Sequence, residues 1–186
     1  MYPTRRAGFV LTLLALCATI AVVAPASAGE LDERIDDSLA LCIAADQLPA
    51  NERLSVLARG LDLADAALAL DDRSARAHFA VVCNLGKATA LAGTGFGSLG
   101  AVYRLRREID ATLALAPNHA EALAAKGALL VKLPRWLGGD RREAERWLRR
   151  ALAIDPSNDT ARVYLDELAP APAFVAPAAA EAAVAH

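Results

Sequence analysis

Aromatic side chains are scarce: four Phe, three Tyr and two Trp make up 5% of the chain. Strands draw on aromatic and β-branched residues, so this shortage argues against a β-sandwich or barrel. An excess of one charge sign is also missing. Twenty basic and 22 acidic residues leave a net of −2, which gives no general case for nucleic-acid binding. No G-x-x-x-x-G-K-S/T sequence occurs, so nothing points to a phosphate cradle of that kind. What the chain has instead is Ala and Leu. Hydrophobic residues reach 55%, mostly of types that favour helix. That fraction excludes disorder of the whole chain. A length of 186 residues is enough for one domain with a core.

The first residues read as an export signal. Arg5 and Arg6 precede an uncharged, mostly apolar run from Ala7 to Ala24. Pro25-Ala26-Ser27-Ala28 then supplies the small residues that a signal peptidase accepts. Cleavage is expected after Ala28, giving a signal at 1–28 and a periplasmic or secreted product. The alternative is a retained N-terminal membrane anchor, because 18 apolar residues just reach the spanning minimum. Cys17 follows Leu16, which is not the small residue that lipidation requires.

Comparing the chain with itself reveals a repeat. Ala151-Leu-Ala-Ile-Asp-Pro156, Thr112-Leu-Ala-Leu-Ala-Pro117 and Ala67-Leu-Ala-Leu-Asp-Asp72 align. They resemble the end of a tetratricopeptide repeat, in which a small residue five positions before a Pro closes the second helix. The residue before Pro is pushed out of the α region, so a helix stops there. The closing positions are 45 and 39 apart rather than 34, so the units carry insertions. One insertion is Leu133-Pro-Arg-Trp-Leu-Gly-Gly-Asp140, and the other lies around Ala92 to Gly100.

The pattern predicts helices at 30–46, 51–70, 74–91, 98–115, 119–132 and 140–154, with a capping helix at 158–168. Asp140, with Glu143 three residues on, has the form of a capping box. Asn118, His119 and Asn158 stand where caps belong. The expected fold is all-α: a right-handed α-solenoid of about three irregular helix pairs over 29–169, closed by a C-terminal capping helix. Residues 170–186 hold nine Ala and three Pro and read as a disordered tail. Phe174-Val175 in that tail is a candidate docking motif.

Candidate chemistry is thin. Gly95-Phe-Gly97-Ser-Leu-Gly100 matches G-x-G-x-x-G, but it follows a helix rather than a strand. His78, His119 and His186 lack metal-ligand spacing, and no carboxylate pair converges for acid–base work. Asn158-Asp-Thr160 has the form of a glycosylation sequon but falls in a repeat turn. The expectation is therefore no enzyme, no cofactor and no metal. Cys42 and Cys83 lie on neighbouring first helices. They are either a disulfide, as an even count in an oxidising compartment suggests, or two buried thiols. Charge is unevenly placed: residues 29–72 hold 3 basic and 11 acidic side chains, and residues 73–169 hold 15 and 10. Such a division marks either solvated faces or a surface that orients protomers or a partner.

Tetratricopeptide-type folds bind through the concave surface lined by the first helices of their pairs. On this sequence that register implies Arg76, Phe79, Lys87, Glu121 and Lys132. The inserted loop adds Trp136, read either as a plug at the end of the core or as a contact for a partner or ligand. The signal, the irregular repeats and the 133–140 loop before a small-residue helix together resemble the T-component of tripartite ATP-independent periplasmic (TRAP) transporters. The resemblance covers about 30–168 and is strongest at 112–156. It implies a non-catalytic periplasmic helical-repeat protein tied to solute uptake. A substrate-binding protein is the implied partner, and a small ligand and self-association are further implications. Family members are often lipid-anchored, and Leu16-Cys17 departs from that. The other reading is a general tetratricopeptide scaffold or assembly factor of the bacterial cell envelope.

Overall fold

Ala67, Thr112 and Ala151, the small residues of the three aligned motifs, are all buried. Each carbonyl accepts the amide four positions on: from Asp71 at 3.0 Å, Ala116 at 2.7 Å and Asp155 at 2.8 Å. The chain then turns through a second bond, Ser74 to Asp71, His119 to Ala116 and Asn158 to Asp155. One helix ending therefore recurs three times, and the sequence repeat is a structural repeat.

The computed structural model in which these bonds occur describes residues 28–92 and 99–169. The expectations for the signal, the tail and most of the 92–100 loop lie outside the described residues. Seven α-helices follow: α1 (Ala28–Ala44), α2 (Ala50–Leu70), α3 (Ala75–Ala92), α4 (Leu99–Leu115), α5 (Ala120–Lys132), α6 (Arg141–Ile154) and α7 (Asp159–Leu168). Short 3-10 turns, Ala45–Gln47 and Arg135–Leu137, join α1 to α2 and α5 to α6. No strand occurs among the described residues.

Local chemistry explains most of the boundaries. Proline follows α4, α5 and α6 within two residues of their ends, at 117, 134 and 156. Asp140 accepts the amides of Arg142 (2.8 Å) and Glu143 (3.0 Å), which hold its carboxyl below the usual range. The Asn158 side chain accepts from Ala161 at 2.9 Å, and Ser74 Oγ from Ala77 at 3.2 Å.

Three details differ from the expected caps. Glu143 does not reach back to complete the capping box; it accepts Trp147 Nε1 at 3.1 Å, one helical turn on. His119 makes no side-chain cap, because its ring packs 4.4 Å from that of Phe79. Asn118 accepts from Arg150 at 3.1 Å instead of capping α5.

The pairs α1–α2, α3–α4 and α5–α6 form hairpins, and α7 covers both helices of the last one. The result is an all-α solenoid. Its core is in two main parts. Ala64, Val81, Leu85 and Ile109 centre the one shared by α2, α3 and α4. Leu123, Leu148, Ala151 and Ala161 centre the one shared by α5, α6 and α7. A Cβ at Gly127 would lie 2.5 Å from Leu148 Cγ, so glycine there sets how closely α5 and α6 approach. Contact between the two parts, through α4–α5 and α3–α5, is sparser than contact within them.

Candidate functional site

The register that singled out Arg76, Phe79, Lys87, Glu121 and Lys132 selects side chains that mostly tie helices together. Arg76 on α3 pairs with Asp32 (2.8 Å) and Asp36 (2.5 Å) of α1. Lys87 donates to the Cys42 carbonyl at 2.9 Å and to Asp46 at 2.6 Å. Lys132, at the end of α5, pairs with Glu167 of α7 at 2.9 Å, and that bond pushes its amine up. Phe79 is half-buried against the α2–α4 core. Glu121 is exposed, 3.1 Å from His119 Nδ1. These five do not converge on one ligand-sized space.

Trp136 is 75% exposed, so it does not plug the core. Its loop is held from behind: Arg106 on α4 donates to the Leu137 carbonyl at 2.9 Å. Gly138 takes a left-handed φ of 85°, and a Cβ there would lie 3.0 Å from Nη2 of the same guanidinium. The chain reverses there with Leu137 facing inward as a carbonyl anchor and Trp136 left facing solvent.

Cys42 and Cys83 are bridged, with Sγ–Sγ 2.00 Å, between α1 and α3. Asn84, one residue on, is buried and donates to the Ser38 carbonyl, Ser38 Oγ and the Ala80 carbonyl at 3.0–3.2 Å. Ser38 Oγ in turn donates to the Gly60 carbonyl at 2.7 Å.

Sequence reasoning missed a second buried polar group. The Glu108 side chain on α4 is only 3% exposed. His78 Nδ1 lies 2.7 Å from it and Arg107 Nη2 2.6 Å. Burial pushes the Glu108 carboxyl up, but the Arg107 and His78 hydrogen bonds and their charges outweigh it and hold the group below the usual range. His78 Nε2 faces the Asp72 carbonyl at 2.9 Å, so both ring nitrogens are engaged. The pair clasps α3 to α4 and lines neither of the surface concavities described next. Only a long-range partner reveals this role; a lone Glu in an Arg-rich helix carries no such signal.

The open space lies elsewhere, along α6 and between α6 and α4. These helices barely meet, and α5 forms the floor between them. Two shallow concavities of about 230 and 200 Å³ share Glu143. One is bounded by Arg146, Trp147 and Arg150, the other by Arg106, Ile109, Lys126 and Leu129. The groove is tied at both ends. Arg106 holds the 133–139 loop at one end, and Arg150 donates to the Pro117 carbonyl at 2.8 Å at the other. Between them Lys126 pairs with Asp110 at 2.8 Å, and its Nζ sits 4.5 Å from the centre of the Trp147 ring. The inserted loop that lengthens the third unit is what closes one end.

No group of three or more His, Cys, Asp or Glu positioned to hold a metal occurs among the described residues. No described helix is long and apolar enough to cross a membrane. Asn158 is buried with its side chain committed to the α7 cap, so the sequon is inaccessible in the folded chain.

The chain is a TPR-like helical-repeat protein, as the recurring helix endings and stacked hairpins define it. No protein-family model matches it, and no curated protein matches it. Among solved structures it is similar to the TPR domain of Arabidopsis OM64, at 16% identity and a TM-score of 0.47. That match covers 73% of this chain and 96% of that one. A likeness of that size adds nothing to the assignment, which stands on the repeat geometry.

Proposed function

We propose that the chain is a non-catalytic scaffold of the bacterial cell envelope that holds a protein partner on its helical-repeat surface. The α4–α6 groove carries this reading: a charged surface of two adjoining concavities, with an exposed Trp136 in the loop beside it. Exposed aromatics next to Arg side chains are the residue types that dominate protein interfaces. Export after cleavage near Ala28 belongs to the same proposal. It is supported by the residue pattern of 1–28 and by the Cys42–Cys83 bridge, since disulfides persist in oxidising compartments.

A narrower form makes the scaffold a component of solute uptake whose partner is a periplasmic substrate-binding protein. The likeness of 112–156 to TRAP T-components supports it, together with a 133–140 loop that presents Trp136 outward. Co-purification of the tagged protein from the periplasm, read by mass spectrometry, tests both forms. The uptake form expects a substrate-binding protein in the eluate. The broader form expects a different envelope protein. A lone monomer under mild extraction would count against the scaffold itself.

A further inference from the structure

We propose that the α4–α6 groove takes an acidic segment of the partner protein that carries at least one large apolar side chain. The proposal rests on the scaffold reading and specifies the chemistry of its occupant.

Four cations border the groove, Arg106, Lys126, Arg146 and Arg150, against two carboxylates, Asp110 and Glu143. Both carboxylates already have partners: Asp110, which is half exposed, accepts Lys126, and Glu143 accepts Trp147 Nε1. Arg146 lies on the groove wall and forms no hydrogen bond or salt bridge among the described residues; its charge acts only at longer range, on Asp140. The groove thus presents a surplus of positive charge with one guanidinium ready to pair. Ile109 and Leu129 line the second concavity, and Trp147 the first, so an apolar side chain has somewhere to lie.

Size favours a segment over a small molecule. Each concavity is below the roughly 300–1,000 Å³ of small-molecule sites. The two adjoin at Glu143, one along α6 and the other between α4, α5 and α6, an arrangement that suits an amphipathic helix or an extended stretch spanning both. Nucleic acid is disfavoured by the same carboxylates and by the acidic first hairpin.

The test uses the full chain and two labelled synthetic peptides, one of alternating Glu and Leu and one of alternating Lys and Leu. Fluorescence anisotropy at low and high salt reads the affinity. The Glu/Leu peptide is expected to bind, to weaken with salt, and to weaken about tenfold in Arg146→Glu. Arg59→Glu, on α2, makes the same change in net charge and is expected to leave binding unchanged. Arg146→Gln, which avoids the new carboxylate, is expected to fall between, and thermal midpoints confirm that each variant folds.

Failure of the Glu/Leu peptide to bind, equal binding of the Lys/Leu peptide, or equal binding by Arg146→Glu overturns the proposal. So does tighter binding of a single-stranded oligonucleotide. Peptide binding that appears only after Phe174→Ser with Val175→Ser assigns the groove to the chain's own tail, and likewise overturns it. A co-purified partner that binds Arg146→Glu as well as the wild type removes this groove while leaving the scaffold standing.

Discussion

Gly60 and Asn84 meet where α2 crosses α3. A Cβ at position 60 would overlap the Asn84 amide, which three hydrogen bonds hold in place. Gly60→Ala should therefore cost about 1–3 kcal/mol through overpacking, measured as a lower urea midpoint with an unchanged slope. Trp136→Ala should behave in the opposite way. Its ring is mostly in water, so the midpoint should move by no more than about 0.5 kcal/mol, and any loss should appear in partner binding instead. Glu108 makes stability depend on pH. Its folded carboxyl lies below the ordinary value of 4.5, so its contribution is whole above that pH and is lost as pH falls through the folded value. Wild type should lose more stability than Glu108→Gln between neutral pH and that acid range, in urea titrations at each pH. Equal slopes would remove the clasp. Trp136 was legible as a residue of interest, with its role left open between a core plug and a contact. Gly60 and Glu108 were not: a glycine inside a helix and a Glu in a basic helix acquire their roles only from partners far away in sequence.

The helices themselves were legible, because their signals are local. Pro117, Pro134 and Pro156 stop helices through sterics with the preceding residue, and Asp140 and Asn158 start them through a bond two or three residues on. Asn158→Ala should lower stability by about 1 kcal/mol, and Asn158→Asp should retain most of it, again by urea denaturation. Arg76, Lys87 and Lys132 have a second role at this scale that the repeat register does not carry, tying helices together. The repeat register correctly put them on first helices, but a sequence does not show that Asp32 of α1, Asp46 of the turn after it and Glu167 of the capping helix α7 would pair with them. The groove escaped notice because it is walled by second helices, α4 and α6, and depends on how the inserted loop folds over Arg106.

Across the whole molecule, the uneven charge proves partly internal. Asp32, Asp36, Asp46 and Asp65 of the first hairpin pair with Arg76, Lys87 and Arg104 of the second. The division seen in the sequence is thus in part a seam between neighbouring hairpins. The two-part core leads to a further expectation. The disulfide ties α1 to α3, while α5, α6 and α7 share their own core with few links across. In hydrogen exchange, a reductant should speed opening in α1–α3 and leave α5–α7 unchanged. A uniform acceleration would show one cooperative unit.

If the chain is exported as proposed, the Cys42–Cys83 bridge would also give it a direction of travel. It closes a loop of 41 residues, worth about 4 kcal/mol of chain entropy. A newly made chain in a reducing interior does without that contribution and holds its first hairpins by packing alone. For an exported chain, this looseness suits passage through a translocation channel, and oxidation on the far side then locks the fold. The bridge would act as a ratchet: the thread that passed through could not return as the folded body it became.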